Sequence, residues 1–243
     1  MPGAPREPAR PPGSDAGVPG AAAASDDAVA AALRGFGPLG LVAILAILAG
    51  QVVLPPLGAI LVLVWASRSH TPWPDIGYRR PASWTRTILG GLAFGVAFKL
   101  AMKAIVMPLL GAAPINHAYG YLVGNQAALP GAIVTMIVVA GFGEETLFRG
   151  YLFERLGRLL GHGSGARVAI VVFTSALFGL AHAHDQGLAG VEQAMITGLA
   201  FGTMFAATGR IWAAMIAHAA FDLTAVGIIY GNLEARVAHL VFR

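Results

Sequence analysis

The sequence predicts an all-α fold: a polytopic bundle of six or seven transmembrane helices with a polar intramembrane cavity. Three observations carry this. Of 243 residues, 56% are hydrophobic and only 12% charged, about half the charged share of soluble domains. The apolar residues gather into runs near 38–66, 88–111, 131–152, 168–183, 188–208 and 211–230, and a bilayer core of about 30 Å needs ~20 helical residues. Ionisable side chains stand in compact groups inside those runs, where each costs about 2.5 kcal/mol or more and so marks a functional interior. Uninterrupted apolarity of this length excludes alternating barrel strands.

Residues 1–35 are rich in Pro, Ala and Gly and read as a disordered tail, since they bury too little apolar surface to order themselves. Within them, 21–33 has the pattern of a capped surface helix. Residues 36–129 hold the N-terminal membrane helices and a basic loop. There Pro55-Pro56 either breaks the run at 38–66 into two short helices or kinks one long helix. Gly90, Gly91 and Gly95 give small-residue spacing for close helix approach. Lys99 and Lys103, four apart inside 88–111, read as snorkelling side chains, with an inward-facing pair as the alternative. Residues 130–230 form the core helices, and 231–243 a short C-terminal tail.

Arg68, Arg79, Arg80 and Arg86 stand against Asp75 in the loop at 67–86, and Arg155, Arg158 and Arg167 lie in 153–167. Two spans separate these loops, so both are expected on the cytoplasmic side. The loop at 112–129 has no Lys, Arg, Asp or Glu and belongs on the other face. Trp73, Trp84 and Trp212 fall near helix ends, as interfacial anchors do.

The chain has no Cys, which excludes disulfides, thiolate metal sites and a cysteine nucleophile. Its net charge of +4 sits in loops rather than in a nucleic-acid-binding stripe, so no nucleic-acid partner is expected. The expected setting is a bacterial inner (plasma) membrane, with the lipid bilayer as partner. Oligomeric state is not readable from the sequence.

Three patterns carry the chemistry. In Glu144-Glu145-x-x-x-Arg149, Glu145 faces Arg149 one turn on. Glu144 is rotated by about 100° and left free for general-base work; a solvated helix end is the bland alternative. In Phe178-x-x-x-His182 the two side chains share a face, and His182 alone reads as a structural hydrogen-bonding group. His184 and Asp185 mark the membrane surface. In His218-x-x-x-Asp222 the pair stands one turn apart on one face. That spacing suits two ligands of one metal, a base and its orienting carboxylate, or a self-contained buried pair.

Glu-Glu-x-x-x-Arg, Phe-x-x-x-His and His-x-x-x-Asn/Asp, in this order on successive membrane helices, resemble the CPBP family over about residues 130–225. That family contains type II CAAX prenyl endopeptidases and bacteriocin-processing or self-immunity (Abi) proteins. The resemblance implies an intramembrane peptidase in which Glu144 activates water, and His182 helps to position it. His218 and residue 222 would stabilise the oxyanion, and Glu145 with Arg149 would organise the first motif. Many members have Asn where this chain has Asp222; a carboxylate is a poor oxyanion donor but a better metal ligand. His182, His218 and Asp222, with Glu144 as base, would make an acceptable catalytic zinc site. The same groups would also serve without metal, and the metal-free reading is favoured; no other cofactor is expected. The chain has no His-Glu-x-x-His.

The expected activity is therefore hydrolysis, in or near the cytoplasmic half of the bilayer, of a peptide bond in a membrane-associated or lipidated protein or peptide. A non-catalytic immunity or binding protein, or a proton- or metal-coupled transporter, are the alternatives. Counting residues along antiparallel helices places Glu144 near the cytoplasmic face and His182 about 10 Å deeper.

Overall fold

Proline has no backbone N–H to donate and disfavours helical geometry in the residue before it. Leu54, preceding Pro55, is extended (φ −154°, ψ 102°). In the computed structural model, which describes residues 21–242, the first apolar run accordingly divides into α2 (Pro38–Val53) and α3 (Pro55–Arg68). The helix before them, α1 (Ala21–Arg34), is set at 61° to α2. The tail expected to be disordered as far as residue 35 is thus helical from Ala21, because Ala30 is buried and Arg34 Nη1 donates to Ser69 O (2.6 Å). Residues 1–20, the rest of that expectation, lie outside the described residues.

α2 and α3 fold back on each other. A Cβ on Gly50 would meet Leu57 and Leu61, and Trp65 Nε1 donates to Leu33 O (3.0 Å). The pair therefore enters and leaves at one end of the bundle, with the exposed Val52 and Val53 at its tip. Arms of 16 and 14 residues reach about 24 and 21 Å at 1.5 Å per residue, less than the bilayer core.

Five further helices build the bundle: α4 (Trp84–Leu109), α5 (Gln126–Leu160), α6 (Ser164–Ala181), α7 (Ala183–Thr208) and α8 (Trp212–Tyr230). A short α9 (Glu234–Ala238) follows. Four of these, α4, α5, α6 and α8, are long and apolar enough to cross a membrane, or five spans if α1 and α2 count as one bent span. By length and composition alone, six or seven spans are not shown. The hairpin arms are too short, and α7 carries Glu192, Gln193 and Thr197 and breaks at Gly187 (φ 61°, ψ −157°). Among the described residues there is no strand.

Small residues set the helix contacts. α4 and α8 run parallel, with Gly91 against Ile216 and Gly95 against Ala220; a Cβ there would stand 2.9 and 2.8 Å from those side chains. The Gly91-x-x-x-Gly95 spacing thus packs as expected. α5 runs antiparallel to α8 through Gly141 on Ala219, and α7 antiparallel to α6 through Gly198 on Ser175.

Both basic loops gather at one end. Tyr78 Oη bonds Thr146 Oγ1 (2.7 Å), Ile211 N donates to Gly77 O (3.0 Å), and Trp84, Trp212 and Tyr78 form an edge-to-face aromatic cluster. Gly77 has φ +86° and lies against Phe205 and Ile211, so no other residue suits it. One expectation needs correction: Arg155 is not a free loop charge. It is buried on α5, donating to Arg34 O (2.9 Å) and Gly35 O (3.0 Å), with Glu154 paired to both Arg155 and Arg158. α5 therefore continues eight residues past the apolar run, to Leu160.

Candidate active site within the bundle

α5 carries the first motif near its middle, not at its end. Wide π-helical turns cover Thr135–Glu144 and Thr146–Tyr151; such turns recur at functional sites. Glu145, fully buried, accepts from Arg149 Nη1 (2.7 Å) at Oε1. Arg149 Nη2 also reaches Gly198 O (3.4 Å), and its guanidinium lies 4.7 Å from the Phe178 ring centre. The ion pair read from the i,i+4 spacing is therefore present, enclosed by α6 and α7.

His218 on α8 joins the two halves of the site. Its Nδ1 donates to the same Glu145 Oε1 (2.8 Å), which fixes the ring. Its Nε2 then faces Asp222 Oδ2 (3.4 Å) and Glu144 Oε2 (3.8 Å). Phe201 covers the imidazole, ring centres 5.2 Å apart. Oε2 of each acid is buried with no hydrogen-bond partner; the two differ in that Glu145 Oε1 holds both Arg149 and His218.

Glu144, His182, His218 and Asp222 all line one cavity of about 570 Å³. His182 caps α6; its Nδ1 donates to Phe178 O (2.8 Å), leaving Nε2 as the unassigned nitrogen. The expected depth offset between Glu144 and His182 is absent. Phe148 of α5 packs edge-to-face on Phe178 of α6, ring centres 5.0 Å apart. Four residues on from that contact along each antiparallel chain, Glu144 and His182 come level. The offset arose from ending α5 at residue 152.

The structure also brings in residues the sequence reading set aside. Lys99 and Lys103 point inward rather than snorkel. Lys99 Nζ donates to Gln193 Oε1 (3.1 Å) and sits 4.6 Å from the Phe221 ring centre. Lys103 Nζ pairs with Glu234 Oε1 (2.8 Å) and donates to Pro114 O (2.7 Å). Their four-residue spacing showed a shared face but not its direction. At the mouth, Gln186 Nε2 donates to Tyr119 Oη (3.2 Å). Burial, with Asp222 and Glu144 adding to it, pushes the Tyr119 phenol up to about 12, so it keeps its proton. His184 and Asp185 are exposed and pair with each other (2.7 Å), as expected of a surface position.

Among the described residues, no three His, Asp or Glu side chains are grouped so as to hold a metal ion. His218 Nδ1 is taken by Glu145 and His182 Nδ1 by a carbonyl. That engagement leaves Nε2 of both imidazoles free, and no step below passes through a metal.

A helix bundle with four or five apolar spans and a buried acid–base cluster facing an internal cavity defines the class: an integral membrane protein with a polar site inside its helix bundle. Residues 126–224, which hold all three motifs, match the family model described as type II CAAX prenyl endopeptidase Rce1-like. Over that segment the chain is similar to the Rce1-like family, a family of CAAX proteases. No curated protein and no solved structure matches the chain.

Proposed function

We propose that the protein is an intramembrane endopeptidase that hydrolyses a peptide bond in a membrane-associated or lipidated protein or peptide, with Glu144 as base. The observation that carries this is the Glu144 carboxylate lining the cavity, one of its oxygens 3.8 Å from an imidazole already fixed by Glu145. A water between Glu144 and His182 gives up a proton to Glu144 as its oxygen bonds to the substrate carbonyl carbon. The carbonyl π pair moves onto oxygen, and the oxyanion forms beside His218 and Asp222. Collapse of that intermediate breaks the C–N bond, and the proton held by Glu144 passes to the departing amine.

The Asp222 in place of Asn is accommodated by a shared proton. His218 Nε2 and Asp222 Oδ2 face each other at 3.4 Å, so a proton on either turns repulsion into attraction. That proton is also a donor for the oxyanion.

The test is a membrane-proteome comparison between cells expressing the wild-type chain and cells expressing Glu144→Gln at equal level. General-base catalysis contributes at least about 10²-fold, so an uncut precursor should accumulate in the variant. Unchanged processing in the variant overturns the reading, and a precursor bound by both proteins but cut by neither favours the non-catalytic binder.

A further inference from the structure

Charge is divided between the two ends of the bundle. Arg68, Arg79, Arg80, Arg86, Arg158 and Arg210 all lie at the end where the two basic loops meet. At the opposite end, among the described residues, the bases are Arg236 and Lys103, and Lys103 is neutralised by Glu234 (2.8 Å). Basic residues in short loops stay on the cytoplasmic side during insertion, so the Arg-rich end is the cytoplasmic one.

The cavity does not open there. Its floor is Glu144, His218 and Asp222, and its walls rise along α4, α7 and α8 to Ile115, Ala118 and Asp185, which are exposed at the other end. No residue of the loops at 67–86 or 153–167 lines it. Beneath the floor, towards the basic end, lie Leu147, Tyr151 and the Glu145–Arg149 pair, each 1% exposed or less. That packed layer closes the cytoplasmic approach.

We infer that the site opens to the non-cytoplasmic face, and that its substrate is a peptide segment presented there: an exported peptide, or the outer flank of a membrane-anchored one. This replaces the expected cytoplasmic-half reaction. The substrate clause rests on the peptidase reading, whereas the direction of access does not.

A chain without cysteine allows a direct test. Single cysteines are placed at Ala118 (mouth), Ala225 (cavity wall) and Ala82 (basic loop), leaving every charge in place. A membrane-impermeant maleimide is applied to intact cells and to inside-out vesicles. Ala118→Cys and Ala225→Cys should label in intact cells and lose that labelling in sealed inside-out vesicles, with Ala82→Cys showing the reverse. Labelling of Ala82→Cys alone in intact cells overturns the inference, as does an Ala225→Cys that labels only from the inside-out face or from neither. Because labelling needs no turnover, such a result leaves the peptidase reading to the Glu144→Gln comparison, and failure of that comparison leaves the access route standing.

Discussion

The layer beneath His218 and the cavity above it use the same residue types in opposite ways. Below, Glu145 and Arg149 are 0% and 1% exposed and bonded to each other, with His218 and Gly198 completing the set. Above, Glu144, His182, Asp222 and Lys99 line open volume, whereas Glu145 and Arg149 do not reach it. Two acids adjacent in sequence are thereby given different work. Glu145 stabilises and aims; Glu144 is kept available. Glu145 stands between two π-helical stretches of α5, and the turn of about 100° between neighbouring residues points one acid into the core and the other toward the cavity.

Breaking the lower layer should give the largest loss of stability. Arg149→Met leaves Glu145 as a buried charge without its partner, a change that costs about 3–5 kcal/mol; thermal unfolding in a bilayer mimetic reads it. Activity falls with it, because His218 loses its anchor. Touching the upper layer should separate the two effects. Glu144→Gln is expected to lower the cleavage rate by at least about 10²-fold while unfolding stays near wild type, since its Oε2 makes no bond to lose. Gly95→Val, remote from both acids, wedges α4 from α8 at Ala220 and should cost about 1–3 kcal/mol. The smallest effect is expected at Lys99→Met. It exchanges a buried ammonium held by Gln193 and the Phe221 face for a side chain of similar shape, and the unfolding temperature should hold or rise.

Much of the site was legible because its pairings are local. Glu145–Arg149 follows from i,i+4 spacing, His218 and Asp222 share a face by the same rule, and Gly91 and Gly95 announce a close crossing. The break at Pro55 follows from proline chemistry. What escaped depends on partners distant in sequence. Glu154 and Arg155 look like loop charges until Arg34 and Gly35 supply the carbonyls that bury them, and misplacing that helix end displaced Glu144 from His182. The return of α3 to its starting end rests on Arg34–Ser69 and Trp65–Leu33, contacts no local pattern encodes. Lys99 and Lys103 needed Gln193 and Glu234 to show which way they point.

The division of labour between the two acids is tested most directly by comparing Glu144→Gln and Glu145→Gln side by side, each scored for unfolding temperature and for precursor cleavage. The account predicts a Glu144→Gln protein as stable as wild type and inactive, beside a Glu145→Gln protein that unfolds earlier. Cleavage retained in Glu144→Gln, or equal destabilisation of the two, would contradict it.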